Sequence, residues 1–178
     1  MEYIYVGKIV NTHGIKGEIR IVTDFKYKER ALSIGKKVYI GKDKTLEVVT
    51  GYRVHKNFSM ITIKGIDNIN DVLKYKGKSI FTTRDELNLG LNEYIDSDLV
   101  GMAVMVNGEQ VGVVSNYLKD KYQDKIIVNK GENEYLVPFV CDIIELVDVE
   151  RHFISIKDIK GLLEWGNHYE DRYFNIIS

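Results

Sequence analysis

The sequence predicts an all-β protein made of two small β-barrels joined by a short polar segment. Three observations predict it: short runs rich in β-branched and aromatic residues, turn residues between most of those runs, and a change in the sign of charge near the middle. Residues 1–90 hold 17 Lys+Arg against 10 Asp+Glu, and residues 91–178 hold 8 against 16. The separation reads as two domains with different partners, the basic half suited to phosphate backbones and the acidic half to a basic protein.

The elements follow in chain order. "YIYVGKIV" and "GEIRIVTDF" are strand runs around the segment His13-Gly14-Ile15-Lys16-Gly17. "KYKERALSIG" suggests a short helical turn, and "KVYIG", "TLEVVTGYRVH", "FSMITIKG" and "KSIFTT" are further strands. "DNINDVLKYKG" is the clearest helix. Asp67 or Asn68 is its N-cap, Ile69, Val72 and Leu73 its apolar stripe, and Gly77 lies past its end. The polar stretch from Arg84 to Tyr94 is the linker candidate. Beyond it, Asn107-Gly108 between apolar runs predicts a type I′ hairpin, because both residues tolerate positive φ. "KIIVNKGENEYLVPF" predicts a second hairpin and "ELVDVERHFISI" a third, turning near Glu150 and Arg151. Pro138, the only proline, belongs at a strand end or edge because it has no amide donor.

Composition narrows the function classes. The 44% apolar and 29% charged residues fit a globular chain, and no apolar stretch approaches a membrane span. The acidic Glu2 and early Lys8 make a poor signal peptide. With one cysteine, Cys141, an internal disulfide is excluded and a thiolate metal cage is not expected, as in a reducing cytosol. Cys141 lies in the apolar run "LVPFVCDIIELV" and is expected to be a small buried core residue.

No motif points to catalysis. His13, His55, His152 and His168 lack the i, i+4 spacing of a helical metal site, and there is no nucleophile elbow. Gly14-x-x-Gly17 matches neither the dinucleotide fingerprint nor the P-loop. The two glycines are expected to be structural, bending the chain at a barrel corner, while His13, Lys16 and Arg20 around them are possible RNA-facing residues. Tyr3, Tyr5, Tyr27, Tyr39, Tyr52 and Phe58 interleave with basic residues. Core and cross-strand packing is the expected role for them, with base stacking the alternative. "NEYIDSDLVGMAV" reads either as a hydrophobic latch for the linker or as an exposed aromatic anchor for a protein partner.

Taken together, "GKIVNTHGIKGEIRI", "YIDSDLVG", "YLVPFVCDIIELVD" and "KGLLEW" resemble, in order and spacing, the ribosome maturation factor RimM family, the 16S rRNA processing proteins. The resemblance runs from about residue 3 to 165. It implies an elongation-factor-like barrel at residues 1–83, a linker at 84–93, a PRC barrel at 94–165 and a tail at 166–178. It also implies a cytoplasmic, monomeric assembly factor without catalytic residues, cofactor, metal or membrane. The implied partners are small-subunit ribosomal protein nineteen, the immature 30S subunit and its 16S rRNA, and the implied role is maturation of the subunit head. The partner-binding residues carried over are Tyr94, Ile95, Asp98, Leu99, Pro138 and Phe139. The family's aromatic pair is here Tyr94-Ile95, followed by Asp96 where the family has Trp. The alternatives are an RNA-modifying or flavin-binding enzyme on a similar barrel, and a plain RNA-binding module.

Overall fold

The computed structural model describes residues 2–90 and 92–163, and the chain divides into two compact units between Leu89 and Gly90. The first unit contains β1 (Tyr3–His13), β2 (Glu18–Val22), α1 (Lys28–Ala31), β3 (Lys37–Ile40), β4 (Thr45–His55), β5 (Phe58–Ile63), α2 (Ile69–Val72), a 3-10 turn (Leu73–Tyr75), β6 (Ser79–Thr83) and α3 (Arg84–Leu87). The strands close into a barrel in the order β1-β2-β5-β4-β3-β6. Closure leaves no open sheet edge.

The alternating pattern fills the barrel. Ile9, Ile19, Ile21, Val38, Ile61 and Ile80 are fully buried. Closing a small barrel requires the longest strands to bend, and bulges supply the bends. In β1 the register shifts between Tyr5 and Gly7 and again between Ile9 and Asn11, so one strand pairs with both β6 and β2. A Cβ on Gly7 would lie 2.5 Å from the Val22 carbonyl oxygen, which is why glycine stands at that crossing. A similar shift in β4 between Val49 and Gly51 brings Gly51 against the Thr62 hydroxyl.

Two local expectations change. In the α2 segment Asn68 is the N-cap, accepting from the Asn70 amide at 2.9 Å, but Leu73 points to solvent and Tyr75 takes the core position. The break into a 3-10 turn after Val72 rotates the apolar stripe. Tyr75 donates to Glu47, and burial chiefly raises its hydroxyl pKa. Arg84–Leu87, expected within the linker, form α3, and Leu87 is fully buried in the first unit. Tyr3 and Tyr5 lie on the outer face: Tyr5 meets Phe81, its cross-strand partner on β6, at 5.9 Å, and Tyr3 reaches past β6 to Tyr39 of β3 at 4.9 Å.

The second unit contains a 3-10 turn (Asp96–Leu99), β7 (Ala103–Val106), β8 (Glu109–Leu118), β9 (Lys125–Lys130), β10 (Asn133–Pro138), β11 (Ile144–Asp148) and β12 (Phe153–Ile156). They form a six-stranded sheet ordered β10-β9-β8-β7-β12-β11, antiparallel except for the parallel pair β12–β7. The sheet curls round one core, including Met102, Val104, Val114, Ile126, Val128, Val137 and Ile154. Asn107 and Gly108 have φ of 51° and 83°, as a type I′ turn requires. Pro138 is the last residue of β10.

Cys141 is exposed, contrary to the expectation of a core position. The β9–β10 ladder ends at Pro138, and the chain turns through Val140–Ile143, with the Ile143 amide donating to the Val140 carbonyl at 3.0 Å. The apolar run is therefore broken by a turn that carries Cys141 outward. The tail 166–178 lies outside the described residues, as do His168 and the Glu164-Trp165 end of the "GLLEW" motif.

Candidate functional sites

The first candidate surface is the rim of the barrel where β1 runs into β2 and β4 into β5. Gly14–Gly17 form a tight turn, closed by the Gly17 amide on the Gly14 carbonyl at 3.3 Å. Both glycines sit in the left-handed region, at φ 69° and 75°. The glycine pair is thus a hairpin turn, and the barrel's bends lie instead at the bulges in β1 and β4. Gly17 is also pressed against the N-terminus of α2, and the Ile69 amide donates to the Ile15 carbonyl at 3.1 Å. The turn holds Ile15 out to solvent, 88% exposed, with Lys16 exposed beside it.

Strand pairing gathers distant residues behind that turn. His13 faces Glu18 across β1–β2, and His55 faces Phe58 across β4–β5. The His13 and His55 rings stack 6.1 Å apart. The Arg20 guanidinium covers the Phe58 ring at 4.9 Å and reaches His13 Nδ1 at 3.4 Å. Arg53 grips Glu18 with two hydrogen bonds, 2.7 and 2.6 Å, and this pairing holds the Glu18 carboxyl below the usual carboxylate range. Sequence reading named His13, Lys16 and Arg20 here; the structure adds Arg53, His55, Lys56 and Phe58. Only strand register brings these together, so no local motif marks them.

The second candidate surface lies on the second unit and is built on rings. Phe139 packs edge-on against Tyr94 at 6.4 Å and against Tyr117 at 5.7 Å, and all three are half-buried. Tyr117 donates to Asp124 Oδ2 at 2.5 Å, and burial followed by that bond raises its hydroxyl pKa. Asp98 accepts from the Ile95 amide at 3.0 Å and so fixes the start of the turn that carries Tyr94. Ile95 and Leu99, carried over as partner-binding residues, are 6% and 0% exposed. They anchor the segment in the core, and their side chains offer little surface to a partner. Tyr94, Asp98, Pro138 and Phe139 remain half-exposed. Tyr117, which sequence reading missed, completes the ring cluster.

Among the described residues, no group of three or more His, Cys, Asp or Glu side chains is placed to hold a metal ion, and no helix is long and apolar enough to cross a membrane.

Comparison with known proteins follows the same two-part division. The family model of the RimM N-terminal domain matches residues 4–87, and that of the RimM PRC barrel domain matches residues 96–162. A ribosome maturation factor RimM of Staphylococcus haemolyticus is 39% identical over 166 residues, covering 90% of this chain and 99% of the relative. The RimM of Exiguobacterium sibiricum is 33% identical over 168 residues, covering 92% and 99%. The crystal structure of a Pseudomonas aeruginosa RimM is 20% identical, covers 88% of this chain and 97% of that one, and superposes with a TM-score of 0.44.

Proposed function

The chain belongs to the RimM family, and on that premise we propose that it is a ribosome assembly factor that binds the immature small (30S) subunit in the cytoplasm. The observation that carries this reading is the ordered match of both family domains, over residues 4–87 and 96–162, on a chain that spans 99% of relatives named as ribosome maturation factors. The mechanism is binding, as a monomer, rather than covalent chemistry. A factor that binds one conformer of the immature subunit more tightly than its competitors shifts the population toward that conformer.

The two units divide the work by charge. The second unit, with 16 Asp+Glu against 8 Lys+Arg in residues 91–178, docks a basic ribosomal protein, small-subunit protein nineteen. Its contact is centred on the half-exposed rings of Tyr94 and Phe139. Aromatic side chains at a partly desolvated patch supply much of the energy of such contacts. The first unit turns its basic rim toward 16S rRNA of the subunit head. The test is affinity capture from cells with tagged wild-type and Tyr94→Ala chains. Wild type retains small subunits whose 16S rRNA is unprocessed, and Tyr94→Ala retains several-fold fewer. A wild-type eluate without immature small subunits would sink the reading.

A further inference from the structure

We propose that the rim carrying the β1–β2 and β4–β5 turns of the first barrel binds the phosphodiester backbone of RNA without reading its sequence. The inference rests on the proposed assembly role and specifies how the first unit would meet rRNA. The β1–β2 turn brings Lys16, and the β4–β5 turn brings Lys56 at φ 54°. The stacked rings of His13 and His55 place the two turns side by side. Behind them Arg20 on β2 and Arg53 on β4 flank β5, both paired with Met60, and Glu18 is already occupied by Arg53. Lys16 and Lys56 are both exposed and make no ion pair among the described residues.

Charge complementarity selects the occupant. Four permanent cations, two of them unpaired at the turn tips, gather on this rim, and the carboxylate among them, Glu18, is held by Arg53. Asp67 and Asp71, both exposed, flank the α2 N-terminus that braces the loop. Exposed lysines on short turns suit phosphate oxygens, which need a point charge rather than fixed geometry. The ring that would serve base stacking, Phe58, is covered by Arg20, so the surface offers charge rather than a bare stacking platform. This is why the backbone, and not the bases, is the expected ligand.

The test measures binding of the full-length chain to an oligouridylate RNA across a salt series. The variant is Lys16→Gln with Lys56→Asn; asparagine tolerates the positive φ of position 56. Wild type binds with a salt-dependent affinity. The double variant loses about 0.7 of logarithmic salt slope for each phosphate contact removed. Lys42→Gln, at the opposite end of the β4 strand, leaves the slope unchanged. An unaltered slope in the double variant overturns the proposal, as does an equal loss in Lys42→Gln, which would mean a diffuse field. Unchanged RNA affinity together with lost capture of immature subunits would assign the rim to a protein contact and also overturn it. A wild type that does not bind RNA yet still captures immature subunits defeats this inference alone and leaves the assembly role standing.

Discussion

At the scale of single residues, the two glycines of the β1–β2 turn answer to different constraints. Gly14 and Gly17 both hold a positive φ, which costs other residues roughly 1–2 kcal/mol. A Cβ on Gly14 would meet nothing within 4 Å. A Cβ on Gly17 would lie 2.8 Å from the Asn68 carbonyl oxygen and 3.0 Å from its carbon, both backbone atoms that cannot swing aside. Gly14→Ala should therefore cost about 1 kcal/mol, and Gly17→Ala about 3, once the push on the α2 N-terminus is added to the strained φ. Urea unfolding of the two variants measures the difference. Equal losses would show that the turn, and not its bracing by α2, sets the requirement for glycine. Because α2 braces the loop, the same contact also governs how firmly Lys16 is presented at the rim.

At the scale of elements, the second unit depends on its hairpins, since its sheet order has ends at β10 and β11. The Asn107-Gly108 turn sets the β7–β8 register next to it, pairing Val106 with Glu109 and Met105 with Gln110, before a shift between Val104 and Met105. Asn107→Val puts a β-branched residue at φ 51° and should destabilise the hairpin by about 1–2 kcal/mol. Amide hydrogen exchange checks this. Protection should fall along β7 and β8 and stay unchanged along β1 and β6, whereas a uniform fall would contradict a local effect. This turn was legible in the sequence because its two residue types act locally, and so were the strands and a helix cap at Asp67 or Asn68, of which the structure uses Asn68. What was not legible came from register. The bulges in β1 and β4 decide which side chains share the outer face, and Arg53 meets Glu18 only across β5. Cys141 was misread because its apolar run reads as one strand, whereas the ladder stops at Pro138. Ile95 and Leu99 prove buried, a placement not legible in the sequence because a family motif marks a segment without separating the side chains that hold it from those that face outward.

At the scale of the whole molecule, a net charge of −1 conceals two oppositely charged units. Cutting between Leu89 and Gly90 moves no charged residue across the divide, so the fragments carry 17 Lys+Arg against 10 Asp+Glu and 8 against 16. The first fragment should fold alone, because its barrel is closed and exposes no unpaired strand. Where it ends matters. Composition alone places the boundary after Thr83, yet α3 buries Leu87 completely, the Lys36 ammonium donates to the Glu86 carbonyl at 2.5 Å, and Arg30 Nη1 donates to the Leu87 carbonyl at 3.3 Å. A fragment of residues 1–89 should unfold cooperatively in urea. A fragment of residues 1–83 should be less stable by about 2–4 kcal/mol, the usual cost of losing one fully buried leucine. Equal stability would make α3 a dispensable extension of the barrel. The 1–89 fragment should also be retained on immobilised RNA at low salt and released as salt rises, while 90–178 passes through. Retention of both fragments alike would mean that the separation of charge along the chain does not divide the binding, and the two-partner organisation would then have to rest on the rings of the second unit alone.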